Sequence, residues 1–253
     1  REKEVIDDVR RMLEDLLRTI RRVIEENKRI VKESSDHIRE VLKRVLEVLR
    51  RLLEEVKRLT ERPVDEEDVK RTAEELLRIL EEVVKEVEDA VERNRRLIEE
   101  SIKELKRIAD ELVRRAEAVI EKVETELGRE SEKVERIVRI IEEVIEAIKR
   151  IVKSLVEINE EYVRLVEELV KDIVDIIRRV AKLLKELADS RRDRKDVERE
   201  LEKIIREVEE RLRRVKEKLD DIDRRAKELH EEVMKRLEEL VERIRRLLED
   251  VER

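Results

Sequence analysis

One glycine, Gly128, and one proline, Pro63, serve the whole of a 253-residue chain, where average usage would supply roughly 18 and 13. Irregular loops draw on both residues, glycine for left-handed backbone and proline for turns. Almost none of this chain can therefore be loop. Of the residues, 54% are charged and most of the rest are aliphatic, the Glu/Lys/Arg/Leu usage of long helices and coiled coils. A strand-rich fold is excluded.

The same inventory closes off several kinds of chemistry. There is no Cys, Trp, Phe or Gln and only one Tyr, so disulfides, thiol catalysis and thiolate metal sites are out of reach. No run approaches the roughly 18 uncharged apolar residues that span a bilayer, and no signal peptide opens the sequence, so a soluble protein expressed in the cytosol is expected. The 72 acidic and 65 basic residues, net −7, are interleaved along every segment. That leaves no basic stripe for nucleic acid and no basic polar face for a membrane-surface helix.

Three interruptions divide the chain at nearly equal intervals. At Pro63 one helix must stop, Asp65 can cap the next, and Glu66, Glu67 and Asp68 suit its positive end. Gly128 follows Leu127 as a left-handed helix terminator, with Ser131 available as the next N-cap. At Asp189-Ser190 glycine is missing, and Asp193 with Asp196 resembles a capping box. The turns predict helices over 2–61, 66–126, 132–187 and 194–252, each about 90 Å long at 1.5 Å per residue. Connections this short make neighbours antiparallel. The expected fold is all-α: a single domain over 1–253, an up-down-up-down antiparallel four-helix bundle.

In the first helix Val9, Leu13, Leu16, Ile20, Val23, Asn27, Ile30, Ser34, His37, Val41, Val45 and Val48 follow three-and-four spacing, continued by Leu52, Val56 and Leu59. A second row, Met12, Leu17, Ile24, Val31, Ile38, Leu42, Leu46, Leu49 and Leu53, widens the stripe to what a four-helix core uses. Occasional four-four steps bring the mean repeat near 3.6, so the helices should be nearly straight. Helix four carries an equally complete row, with Leu201, Val208, Leu212, Val215, Leu219, Ile222, Leu229, Val233, Leu237, Leu240 and Ile244 in place. One chain can close this core alone, which makes a monomer without partner or cofactor the expectation.

The uncharged polar residues within the stripes fall together when the helices are laid antiparallel. Asn27 comes level with Ser101, Ser34 with Asn94, and His37 with Ala90. Ser154, Asn159 and Tyr162 of the third helix share their height with Asp223 and His230 of the fourth. Buried amides and hydroxyls left alone cost about 1–3 kcal/mol each, so a shared height predicts hydrogen-bonded networks that fix register. A di-metal bundle site would need Glu three residues before each His, where Ser34 and Lys227 stand, and His230 opens no HExxH motif. Buried neutral histidines would instead make stability fall below pH of about 6.5. The lone Tyr162 reads as a core residue with a satisfied polar tip rather than a ligand contact. The serines have no base and orienting acid beside them, and no phosphate-binding glycine loop exists. Nothing points to an enzyme.

The uniform helix lengths, the Glu-Arg-Pro-Val-Asp-Glu-Glu-Asp turn over 61–68, the Leu-Gly-Arg-Glu-Ser turn over 127–131 and the centred Asn/Ser/His/Tyr set resemble computationally designed helical bundles with buried hydrogen-bond networks. Natural rods such as spectrin-type repeats would be expected to use Gln, Phe and Trp and more varied loops. The third turn, without glycine, departs from the usual designed pattern. The resemblance implies a structural scaffold with no natural substrate. Its alternative is an interaction or switch module, in which hairpins 1–128 and 129–253 pair or the last helix is released to a helical partner.

Overall fold

The computed structural model describes residues 2–252, with side chains over 2–250. Arg1 and Arg253, the outermost residues of the expected domain, lie outside them. The chain is all-α: α1 is Glu2–Glu61, α2 Glu66–Leu127, α3 Glu132–Ala188 and α4 Arg194–Glu252, with no strand among the described residues. The helices α2 and α3 each run one residue beyond the ends read from the turns, and the other bounds coincide.

Each stop has its physical cause. After Pro63 the amides of Asp68 and Val69 both donate to the Asp65 carbonyl, at 3.0 and 3.1 Å, which starts α2. At the second turn Gly128 takes φ +84° and donates to the Glu124 carbonyl at 3.1 Å. The third turn reaches the same end without glycine. Ser190 sits at φ 55°, its amide donates to Leu187 at 3.2 Å, and the Arg191 amide reaches back to Glu186 at 2.9 Å. These two bonds are the Schellman pattern, with Ser190 in the left-handed position that glycine normally fills.

A side chain in that conformation costs about 1 kcal/mol, which gives a paired prediction. Space around a Cβ on Gly128 is open, so Gly128→Ala should lower unfolding free energy by about 1 kcal/mol through backbone strain alone. Ser190→Gly should raise it by up to ~1 kcal/mol. Denaturant titration of both variants tests the pair, and shifts of the same sign would refute the account.

The chain forms two compact units. One takes the chain up to Lys32, Ile98–Glu160 and the chain from Ile222; the other takes Glu33–Leu97 and Glu161–Asp221. The first has a core of Val9, Leu13, Leu16 and Ile20 from α1, Leu105 and Leu112 from α2, Ile141, Val144 and Ile148 from α3, and Leu237 and Leu248 from α4. In the second, Leu49, Leu52 and Val56 of α1, Leu80 and Val87 of α2, Ile177, Val180 and Leu184 of α3, and Val197, Leu201 and Val208 of α4 are similarly buried. The widest buried face belongs to α3, which hides consecutive pairs such as Ile140–Ile141, Val144–Ile145 and Leu155–Val156. A narrower face is buried by α2, whose core includes Ala73, Ala90, Ala109 and Ala116.

Within each unit the contacts report antiparallel neighbours. In the first, Asp8 meets Lys122 at 3.1 Å and Asn27 meets Ser101 at 2.9 Å, so α2 descends as α1 rises. In the second, Arg39, Arg50 and Lys57 pair in order with Asp220, Glu209 and Glu202 of α4, at 2.7, 3.0 and 3.6 Å. These ion pairs lie at the partly exposed surface, and such pairs contribute about 0–1 kcal/mol each. They therefore record a register set by the core more than they impose it.

Two sequence expectations need correcting. The α1 core steps to Ile24, Val31, Ile38, Leu42 and Leu49, while Val23, Ile30, Val41 and Val48 are half-buried and His37 is exposed. Both rows belong to one wide stripe. At His37/Ile38 the outcome is decided by burying isoleucine, a gain of about 1.5–3 kcal/mol, and leaving the polar imidazole in water. On α4, Leu212, Val215 and Leu229 are only half-buried. Around Leu212 and Val215 the flanking Arg213, Arg214, Lys216 and Glu217 are exposed, so the helix has no second apolar row there to widen its contact.

Candidate functional site

Among the described residues, Asn27, Ser34, Ser35, Asn94, Ser101 and Asn159 are the buried polar side chains in a largely aliphatic core. In the first unit Asn27, Ser101 and Asn159 are buried, with 5%, 8% and 0% of their surface exposed. The Asn27 side-chain oxygen accepts from the Ser101 hydroxyl at 2.9 Å and from the Asn159 amide at 2.7 Å. One atom of α1 is thus tied to both α2 and α3. The Asn159 side-chain oxygen has no partner within the protein.

In the second unit Tyr162, fully buried, donates its hydroxyl hydrogen bond to the Asn94 side-chain oxygen at 3.2 Å. Ser34 is buried too, and its hydroxyl meets no acceptor or donor of the protein. Beside it Ser35 is 0% exposed, its hydroxyl equally without a partner. Ser35 is absent from the sequence-derived set. The signal was present: Ser35 lies four residues after Val31 and three before Ile38, on the row that turns out to be most buried.

The other expected members are less deeply buried. The exposed His37 lies with Val41, Ala90, Glu82, Glu86 and Asp89 along a shallow groove of about 370 Å³ between α1 and α2. Ser154 and Asp223 are half-buried. His230 is half-buried as well, with its Nδ1 shielded from solvent and without a hydrogen-bond partner. Burial and then the nearby Lys28 charge push its imidazole below the ordinary value, against the smaller opposing pull of Glu25 and Glu231.

The sign of the linkage follows from that lowered value. In the unfolded chain His230 takes up a proton near pH 6.5, whereas the folded protein resists it. Its contribution is therefore complete above about pH 6.5 and is lost as pH falls toward the folded value. His230→Gln should flatten the stability decline over this interval. Parallel pH titrations of stability for parent and variant test this, and identical slopes would exclude His230 as the cause.

A groove of about 810 Å³ between α3 and α4 of the first unit is lined by Ala147, Leu240 and interleaved charges including Arg139, Glu142, Glu146, Lys235, Arg236 and Glu239. None of its lining residues is a serine, a histidine or a tyrosine. Among the described residues no group of three or more His, Cys, Asp or Glu could hold a metal ion, and no helix is long and apolar enough to cross a membrane.

No protein-family model and no curated protein matches the chain. Among solved structures it is similar to a computationally designed three helix bundle, at 16% identity over 99% of this chain and 93% of that one, with a TM-score of 0.37. The functional reading rests on the chain's own residues.

Proposed function

We propose that this chain is a structural scaffold of designed origin, four long helices held in one pairing by a few buried polar contacts, with no catalytic activity, cofactor or required partner. The observation that carries the reading is the Asn27 oxygen receiving both Ser101 and Asn159 beside the first unit's hydrophobic core cluster of Leu, Ile, Val and Ala. Such an aliphatic core is indifferent to slippage by a heptad. An amide tied to two helices is not, because any slip strands it against hydrocarbon.

The proposal includes a single domain and a monomer. Support comes from the same four helices supplying both compact units, and the reading expects the units to unfold in one transition. A second reading, an interaction or switch module, is favoured by the half-buried Leu212, Val215 and Leu229 of α4, since a helix meant for release would be the least deeply docked. Solution molar mass over a concentration range, with denaturant unfolding followed by two probes, separates the two. The scaffold requires the mass of one chain at every concentration and coincident transitions. Mass rising with concentration, or an early loss of α4 alone, would move the assignment to the interaction module.

A further inference from the structure

We infer that the second unit holds an internal water site beside Tyr162, built by the Ser34 and Ser35 hydroxyls and the Tyr162–Asn94 pair. Consecutive helical residues point about 100° apart, so two buried serines in succession spread two hydroxyls over the buried face of α1. Both are more than nine-tenths buried and neither meets a partner in the protein. Leaving both dry would cost about 1–3 kcal/mol each, at positions where the stripe elsewhere carries Leu, Ile or Val.

The neighbouring polar groups lie at the right height. Within this unit the α1–α2 pairing seen at Arg44–Glu86, and in the groove that His37 shares with Ala90 and Arg93, brings Ser34 near the height of Asn94, and the Tyr162 hydroxyl is at Asn94. A water there finds what buried waters use, two to four polar partners: acceptors in the serine and tyrosine oxygens, and donors in the serine hydroxyls. The ligand class is water, because the four groups that build the site, the Ser34, Ser35 and Tyr162 hydroxyls and the Asn94 amide, are uncharged, and Ile38 and Val166 of the same unit are apolar and buried.

The test is a crystal structure resolving ordered solvent, together with water–protein cross-relaxation measured by NMR on the same full-length chain. The expected result is a water within hydrogen-bond distance of the Ser35 hydroxyl and long-lived water cross-peaks at residues 34 and 35, both lost in the Ser34→Ala/Ser35→Ala variant. Serine hydroxyls turned instead onto the carbonyls of Ile30 and Val31, with no long-lived water, would overturn the inference. If crystals do not form, the NMR arm decides alone: cross-peaks that persist in the double variant, or are absent from the parent, equally overturn it.

Discussion

Tyr162→Ala should produce the largest loss of stability of any single substitution considered for this chain, about 3–5 kcal/mol, in the range of large aromatic truncations. The side chain is fully buried and is the largest of the buried set, so its removal opens a cavity in a close-packed core. It also strands the Asn94 side-chain oxygen, whose hydrogen bond comes from the tyrosine hydroxyl at 3.2 Å. Tyr162→Phe separates the two effects. It keeps the ring and deletes the hydroxyl, and it should cost about 1–3 kcal/mol, the penalty of an unpaired buried polar group. Denaturant unfolding of both variants gives the ordering. A phenylalanine variant as stable as the parent would mean the contact to Asn94 contributes nothing, and an alanine variant no worse than the phenylalanine one would remove the packing argument.

The second large effect is expected at Asn27. Asn27→Leu leaves the Ser101 hydroxyl and the Asn159 amide without their acceptor, at about 1–3 kcal/mol each, against a gain of about 1.5–3 kcal/mol from the buried leucine. The expected net loss is about 1–3 kcal/mol. The decisive comparison is the triple variant Asn27→Leu/Ser101→Ala/Asn159→Leu, where no polar partner is left behind. Replacing a whole buried polar set with hydrocarbon is often neutral or stabilising, so the triple variant should recover the parent's stability or exceed it while losing its single pairing. Cysteine pairs placed one heptad out of register on α1 and α2 would report that loss by crosslinking in the triple variant and not in the parent. If the triple variant stays confined to the parent register, the polar contacts are not what selects it, and the scaffold proposal loses its main support.

The relation between sequence and structure differs from element to element. The helix bounds were legible to within a residue at Leu127 and Ala188 because stopping a helix is a local matter, governed by Pro63, Gly128 and the acids that follow each turn. The third turn was only half legible. Asp189–Asp193 carries no glycine, and nothing local announces that Ser190 will take the left-handed conformation so that the Arg191 amide can reach Glu186. Among the polar residues, the level of Asn27 with Ser101 followed from counting residues along antiparallel helices. Its hydrogen bond to Asn159 did not, because that contact depends on the angle at which α3 presents its side chain.

What the sequence determined by itself is therefore everything set by short-range chemistry and periodicity: an all-α chain, four helices, three turns, and a stripe of aliphatic residues with a few neutral polar ones near its middle. Only the tertiary structure decided which edge of each stripe is buried. A stripe two rows wide can be rotated by tens of degrees at little local cost, and the packing of three neighbours selects the angle. That rotation buries Ile38 and exposes His37, brings Ser35 inside beside Ser34, leaves Leu212 and Val215 half-covered, and places Asn159 on Asn27 and Tyr162 on Asn94. Each outcome depends on the summed burial of many side chains from other helices, information that no single helix carries.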